Sequence, residues 1–183
     1  MNNKELEQHF RERKPQQCIN AIRYILSKVR EIKPQVYLEI GCRHLATLEI
    51  FESILPTKKE GGLAIGVDVV SRGWEEFKDV RPLRGLCFIE GNSTQENTIK
   101  QVQLGLNGKE VDFLLIDGCH DYDVVKKDFE NYSRFVRTGG LVAFHDTSPG
   151  DGPWRVIEEL ASSGYIVDNI PRVSMATTLV VNK

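Results

Sequence analysis

Five short apolar runs, each ending in or followed by a polar residue, are the feature of this sequence that most constrains its fold. Such runs are typical of strands covered on both faces of a parallel sheet. They occupy residues 36–41, 62–68, 86–90, 111–117 and 141–146. Apolar residues at helical spacing indicate helices over residues 17–32, 45–55, 94–106, 122–136 and 154–162. The alternation predicts an α/β fold, a doubly wound, Rossmann-like and mostly parallel sheet with helices on both faces.

The remaining segments complete this outline. Residues 1–33 are predicted to form an N-terminal helical segment and residues 34–183 a Rossmann-like core, together a single domain. Two strand-like stretches near the C-terminus follow one another without a helix between them, which predicts an antiparallel C-terminal edge strand. Gly139 and Gly140 are predicted to cap the helix that precedes the fifth strand.

Composition narrows the class of protein. The chain has 183 residues, of which 40% are hydrophobic, enough for one domain with one core. Its formal net charge is −2, so no strongly basic field supports nucleic-acid binding. No apolar run approaches the roughly 18 residues of a membrane span, and the polar residues 1–13 do not resemble a secretory signal. The four cysteines form no CxxC pair, so we expect free thiols and a cytoplasmic protein.

The residues at the ends of the predicted strands mark the edge where a ligand is expected. In doubly wound sheets, ligands bind outside the carboxyl ends of the strands, at the switch in strand order. Every one of the first five strands ends in polar or acidic residues, which turn chemistry explains only in part. In chain order these are Glu39 and Gly41, Asp68, Asn92 and Ser93, Asp117 and Gly118, and His145 and Asp146.

Asp68 and the loop after the first strand bear on the type of cofactor. Asp68 follows Gly41 by 27 residues, a position from which a carboxylate accepts hydrogen bonds from ribose hydroxyls; the alternative is a turn aspartate. NAD and S-adenosyl-L-methionine both carry such a ribose. Residues 41–46 contain a single glycine rather than GxGxxG, which argues against a pyrophosphate and therefore against NAD. S-adenosyl-L-methionine has no phosphates, so its binding depends less on a glycine-rich turn.

A motif near the fourth and fifth strands carries a specific resemblance. Residues 116–129 read IDGCHDYDVVKKDF, and residues 139–146 read GGLVAFHD. The chain resembles the class I S-adenosylmethionine-dependent methyltransferases, within them the small O-methyltransferases that include macrolide-sugar methyltransferases and cephalosporin-hydroxylase-like proteins. That branch carries IDG-x-H-x-Y-x-x-V-x-x-D, then GG and an HD ending. The matching residues are Asp117, Gly118, His120, Tyr122, Val125, Asp128, Gly139, Gly140, His145 and Asp146.

The resemblance implies S-adenosyl-L-methionine as the cofactor and a hydroxyl of a small molecule or sugar as the methyl acceptor. Glu39 and Gly41 match the part of the first motif that faces the methionine end of the cofactor, and Asp68 matches the ribose-binding acid. Asn92 and Ser93 match the loop near the adenine. The full cofactor-binding set expected on this basis is Glu39, Gly41, Cys42, Asp68, Asn92, Ser93, Asp117 and Gly118.

The resemblance also implies a metal and a base. Asp117 and Asp146 match carboxylates that hold Mg²⁺ in metal-dependent relatives, and His145 is a further ligand or an orienting residue. Bound Mg²⁺ would lower the pKa of the acceptor hydroxyl. His120 matches the general base of sugar O-methylating relatives, and an imidazole with a pKa of about 6.5 can take a proton near neutral pH. We therefore expect His120 and Asp117 to be catalytic.

Other interpretations of these residues stay open. His120 could cap the helix that follows it, and His145 and Asp146 could hydrogen-bond nearby backbone. The first motif departs from the family at Leu45, which we expect to crowd the cofactor. The alternatives are accordingly a non-catalytic cofactor-binding module of the same fold, or a metal-dependent hydroxylase or hydrolase that uses the same carboxylates.

The substrate pocket is not specified by any motif. We expect it to be formed by the N-terminal helix, residues 71–85 and residues 147–153, or else by a second subunit. In the second case the protein would be a homodimer.

Overall fold

A computed structural model describes residues 1–70, 85–169 and 178–181, with side chains up to residue 168. Within these residues, seven strands form one sheet in the order β3-β2-β1-β4-β5-β7-β6. The strands are β1 (Val36–Ile40), β2 (Leu63–Asp68), β3 (Leu86–Glu90), β4 (Val111–Ile116), β5 (Val136–Phe144), β6 (Ile166–Asn169) and β7 (Thr178–Val181).

Helices connect most of the strands. The described α-helices are α1 (Asn3–Arg13), α2 (Ile19–Glu31), α3 (Ala46–Glu52), α4 (Glu96–Leu106), α5 (Tyr122–Tyr132) and α6 (Gly152–Ser162). Single 3₁₀ turns lie at Lys58–Glu60 and Ser133–Phe135. Each described helix is too short or too polar to cross a membrane.

The first five strands run parallel, and the chain changes direction across the sheet at β1. Strands β2 and β3 lie on one side of β1, while β4 and β5 lie on the other. Strand β7 runs antiparallel to β5 and lies between it and the outermost strand β6. The predicted doubly wound sheet with an antiparallel C-terminal strand is therefore confirmed. Its switch point, between β1 and β4, is where a ligand site is expected.

Alternating residues of β1 enter two cores on opposite faces of the sheet. Leu38 belongs to a core formed with α4, α5 and α6, whereas Tyr37 belongs to a core formed with α1, α2 and α3. The rings of Tyr37, Phe51 and Phe113 lie 4.9–5.1 Å apart, centroid to centroid, at the centre of the second core. Large aromatic rings of this kind contribute much of the buried apolar area of a core. Both faces are covered, as the continuous apolar strands predict.

The predicted role of Gly139 and Gly140 as a helix cap is wrong. Helix α5 ends at Tyr132, and both glycines lie inside β5. The pairing of β4 with β5 shifts register here, and Gly139 has a φ of +75°. A Cβ on Gly140 would lie 2.9 Å from the carbonyl oxygen of Arg137. The glycines thus permit an irregularity in β5. In the sequence, two glycines after a helical pattern indicate a helix cap and a strand irregularity equally well.

Candidate active site

A cavity of about 820 Å³ lies at the carboxyl ends of the parallel strands, beside the switch point. All the residues predicted for the site line it, so the structure brings together residues from the ends of five strands and the loops that follow them. They are Glu39, Gly41, Cys42, Asp68, Asn92, Ser93, Asp117, Gly118, His120, His145 and Asp146. A volume of this size is within the usual range for small-molecule and cofactor sites.

Gly41 allows the loops after β1 and β4 to pack directly against each other. Its φ is +87°, and a Cβ at this position would lie 2.3 Å from the carbonyl oxygen of Asp117. The backbone N–H of Asp117 donates to the carbonyl of Ile40 at 2.8 Å. Only glycine fits both the left-handed conformation and this close approach. The result is that Asp117 lies at the floor of the cavity next to the first loop.

Leu45 does not crowd the cavity, so this expectation is wrong. Its side chain is fully buried in the core formed with α1, α2 and α3, and it is absent from the cavity lining. The backbone of Leu45 has a φ of +63°, immediately before α3 begins. This left-handed residue turns the chain so that Ala46 and Thr47, but not Leu45, face the cavity.

The Asp68 carboxylate holds the first loop in place and also lines the cavity. Its Oδ2 accepts a hydrogen bond from the backbone N–H of Arg43 at 2.7 Å, and its Oδ1 accepts one from Val70 at 3.2 Å. An ionised carboxylate has about four acceptor positions. These backbone contacts therefore leave it capacity to accept further hydrogen bonds from a ligand. The turn interpretation and the binding interpretation are compatible at this residue.

Glu39 is a buried carboxyl at the cavity floor, only 1% exposed. It accepts a hydrogen bond from the hydroxyl of Tyr37 at 2.8 Å. Burial raises the pKa of Glu39 well above its usual value; the Tyr37 hydrogen bond opposes this, while Asp117 and Asp68 add to it. A cationic group of a ligand near this carboxyl would favour its ionised form.

Asn92 and Ser93 form the loop after β3. The side-chain oxygen of Asn92 accepts hydrogen bonds from the backbone N–H and hydroxyl of Thr94, at 2.9 and 2.8 Å. The carbonyl of Ser93 accepts a hydrogen bond from the hydroxyl of Tyr132 at 2.8 Å. These contacts fix the shape of the loop where it borders the cavity.

Two carboxylates and one imidazole converge at the ends of β4 and β5. Nδ1 of His145 lies 3.0 Å from Oδ1 of Asp117 and 3.1 Å from Oδ2 of Asp146. One ligand atom from each residue lies within 4.8 Å of the other two, close enough to hold one metal ion. Carboxylate oxygens with an imidazole nitrogen form a set that suits Mg²⁺, Mn²⁺ and other divalent cations. The donor set therefore fits the predicted metal.

The surroundings of His145 determine its protonation. Its side chain is 4% exposed, and neither ring nitrogen makes a well-formed hydrogen bond with the described residues, although Nδ1 is close to both carboxylates. Burial favours the neutral ring, but the charges of Asp117 and Asp146 outweigh it, so the pKa of His145 is raised. A cation bound between the carboxylates would reverse that balance.

His120 lies beside this cluster, on the same side of the sheet. Its Nε2 is 2.9 Å from Oδ2 of Asp146, and its side chain is 60% exposed. The residue at the N-cap of α5 is Asp121, whereas the His120 imidazole contacts a residue of another loop. His120 is therefore not the N-cap residue of α5, and its role as a base stays a prediction.

The loop of residues 147–153 supports His120 instead of lining the cavity. A Cβ on Gly152 would lie 2.2 Å from the carbonyl oxygen of His120 and 2.5 Å from the backbone nitrogen of Tyr122. The glycine therefore allows the start of α6 to pack against the backbone that carries the imidazole. Residues 71–84 of the other predicted pocket segment lie outside the described residues.

The N-terminal segment contributes more to the site than the sequence indicated. Residues 13–17, which comprise the last residue of α1 and most of its link to α2, line the cavity; we call them the strap. Arg13 forms an ion pair with Glu49 of α3 at 2.9 Å and donates to the carbonyl of His44 at 3.1 Å. Gln17 donates to Oδ2 of Asp117 and accepts a hydrogen bond from Thr47 at 2.7 Å. No sequence pattern marked these contacts, because they join distant parts of the chain.

Comparison with known families identifies the domain. The sequence profile described as a methyltransferase domain matches residues 22–147, which is more than half of the chain. The chain belongs to this methyltransferase family. The match includes every predicted site residue of this methyltransferase, from Glu39 to Asp146. It ends one residue beyond Asp146, the last residue of the cluster with Asp117 and His145.

Solved structures of other methyltransferases share the fold. A Staphylococcus aureus protein described as a caffeoyl-CoA O-methyltransferase is 17% identical, with a TM-score of 0.74 over 100% of this chain and 93% of its own. An O-methyltransferase from Bacillus cereus, solved in complex with SAH, is 16% identical, with a TM-score of 0.72 over 99% of this chain and 92% of its own.

A third structure is that of a larger protein. MycE, a methyltransferase from the mycinamycin biosynthetic pathway solved in complex with Mg, SAH and mycinamycin VI, is 17% identical, with a TM-score of 0.62. The match covers 87% of this chain and 48% of MycE. At these identities the likenesses show the shared fold.

Proposed function

We propose that this methyltransferase transfers the methyl group of S-adenosyl-L-methionine to a hydroxyl oxygen of a small molecule or sugar. The observation that carries the proposal is the contact of His120 with Asp146 at one end of the cavity, next to the cluster of Asp117 and His145. A base and a cation site at the end of a cofactor-sized cavity are the groups that an acceptor hydroxyl requires.

The rest of the cavity provides groups suited to the cofactor. The Glu39 carboxyl and the Gly41 loop would face its methionine end, where the ammonium and sulfonium carry positive charge. Asp68 has acceptor capacity for the ribose hydroxyls. Asn92 and Ser93 border the part of the cavity proposed for the adenine. Cys42 and Gly118 complete the lining between these groups.

A divalent cation such as Mg²⁺ would be held by Asp117, Asp146 and His145. When bound, it would lower the pKa of the acceptor hydroxyl and orient its oxygen toward the methyl group. Of the three protein groups, Asp117 and Asp146 provide the negative charge, and the buried His145 provides a neutral nitrogen. The imidazole makes this set less selective for Mg²⁺ than three oxygen ligands would be.

The contact between His120 and Asp146 supports an assignment of the two ring nitrogens of the proposed base. Because a carboxylate can only accept hydrogen bonds, the proposal places the ring hydrogen of neutral His120 on Nε2, which lies 2.9 Å from Oδ2 of Asp146. The Nδ1 of His120 is then the acceptor of the hydroxyl proton. As the new C–O bond forms, the C–S bond breaks, the proton passes to Nδ1 and the sulfonium becomes a neutral thioether.

Calorimetry followed by a turnover assay tests the proposal. We expect S-adenosylhomocysteine to bind the purified protein, and radiolabelled S-adenosyl-L-methionine to methylate hydroxyl acceptors identified by mass spectrometry of copurifying compounds. Binding without turnover on any acceptor would support a non-catalytic module instead. Cation binding without cofactor binding would support a metal-dependent hydroxylase or hydrolase that uses the same cluster.

A further inference from the structure

Gln17 connects the strap to the candidate metal cluster through a side chain whose orientation is fixed at both ends. Its Oε1 accepts a hydrogen bond from the hydroxyl of Thr47 at 2.7 Å. Its NH₂ group donates to Oδ2 of Asp117. An ionised carboxylate can only accept hydrogen bonds, so the amide has to present its nitrogen to Asp117 and its oxygen to Thr47.

This contact divides the two oxygens of Asp117 between different partners. Oδ2 is occupied by Gln17, whereas Oδ1 lies 3.0 Å from Nδ1 of His145. Rotation of the carboxylate would break the hydrogen bond from Gln17. The Asp117 side chain is therefore held so that one oxygen, Oδ1, faces His145 in the cluster.

The strap remains in place through contacts that do not involve Gln17. Arg13 pairs with Glu49 at 2.9 Å, and Nε2 of His9 lies 2.8 Å from the carbonyl of Ala46. These contacts anchor α1 and the start of the strap to α3. Removing the Gln17 amide should therefore release the Asp117 carboxylate without detaching the segment.

We propose that Gln17 is a positioning residue, which fixes Asp117 so that a single oxygen is available to the cation. The inference rests on the proposed cation site. Groups that orient a metal ligand typically account for about 10- to 100-fold in metal affinity when they are removed. The N-terminal strap thereby becomes part of the active site, although it contributes no direct ligand.

Titration of the protein with Mn²⁺ alone, followed by electron paramagnetic resonance, tests this role without any methyl acceptor. We expect Gln17→Ala to weaken Mn²⁺ binding about 10-fold or more at an unchanged melting temperature. Gln8→Ala is the matched control, since Gln8 also donates to a carboxylate, that of Glu12, but on the exposed surface of α1.

Thr47 provides a second test that keeps Gln17 intact. Thr47→Val removes the hydroxyl that orients the Gln17 amide and should weaken Mn²⁺ binding, whereas Thr47→Ser should preserve it. This pair decides the question if Gln17→Ala fails to fold. Mn²⁺ affinities within twofold of the wild type in Gln17→Ala, or in Thr47→Val where only that variant folds, would overturn the inference. A wild type that binds S-adenosylhomocysteine but no Mn²⁺ would overturn it too, together with the cation site, and would leave the cofactor proposal standing.

Discussion

His120 and Asp146 contact each other across the cavity end, with Nε2 of His120 2.9 Å from Oδ2 of Asp146. Asp146 has a φ of +53°, in the left-handed region that non-glycine residues seldom adopt. This conformation turns the chain directly after His145, so that the side chains of His145 and Asp146 approach each other to 3.1 Å. The Asp146 carboxylate thus contacts both imidazoles, and its contact with His120 is the one on which the proposed base depends.

Replacing His120 by alanine should lower kcat about 10²–10⁴-fold, the usual cost of losing a general base. Cofactor affinity and melting temperature should change little, because the imidazole is 60% exposed. His44→Ala, at another cavity-lining histidine, is the control and should retain activity. A sharp fall in melting temperature with preserved activity per folded molecule would identify His120 as a structural residue.

Replacing Asp68 by alanine should weaken S-adenosylhomocysteine binding about 10- to 100-fold, because hydrogen bonds to a charged group contribute roughly 1.5–3 kcal/mol. Isothermal titration calorimetry measures this directly. Asp112→Ala provides the comparison, since Asp112 also accepts backbone hydrogen bonds, from Gln35 and Val36 at 2.8 and 2.9 Å, but lies outside the cavity. Equal affinities in wild type and Asp68→Ala would remove Asp68 from the cofactor site.

Removing divalent cations with EDTA should abolish turnover, and Mg²⁺ should restore it. Because His145 would contribute a nitrogen ligand to the proposed cation site, we expect Mn²⁺ to bind more tightly than Mg²⁺. His145→Asp should narrow that difference, as it makes the set of Asp117, Asp146 and residue 145 entirely oxygen. Full activity in EDTA, with no cation between these residues in a metal-soaked crystal, would contradict the cation site.

Asp128 should make the stability of the protein depend on pH. Burial raises the pKa of this carboxyl to about 6, and the nearby Ser93 only partly opposes it without forming a well-aligned hydrogen bond. Because the pKa of Asp128 is higher in the folded protein than in the unfolded chain, its protonation favours the folded state. This contribution to the free energy of unfolding is complete below about pH 4 and is lost as the pH rises through 6.

Asp128→Asn should therefore increase the free energy of unfolding at pH 7.5, by up to about 3 kcal/mol, and the gain should disappear near pH 4. Urea unfolding at both pH values provides the measurement. Glu130→Gln, at an exposed position of the same helix, should show no such pH-dependent gain. A variant less stable than the wild type at pH 7.5 would show that the Asp128 carboxylate has a stabilising partner.

Residues at strand ends could be predicted because parallel strands bring their carboxyl ends to one edge. Asp68, Asp117 and Asp146 come to the same cavity for this reason, and their loops then determine the contacts of each side chain. Gln17 could not be predicted, since its partner Asp117 is 100 residues away and the strap has no periodic pattern. Leu45 was misjudged because Gly41, Arg43 and Leu45 all have positive φ, and this backbone course decides which side chains of the loop face the cavity.

Under the proposed reaction, the acidic lining of the cavity would distinguish the methyl donor from the by-product that remains after transfer. Glu39, Asp68, Asp117 and Asp146 line it, and the donor brings a sulfonium cation to their neighbourhood. Transfer of the methyl group turns that sulfonium into a neutral thioether, so the Coulomb attraction between cofactor and floor falls as the reaction occurs. Under the proposed reaction, the lining attracts the donor more strongly than the by-product, which would keep its ribose contact with Asp68 but has lost the sulfonium charge.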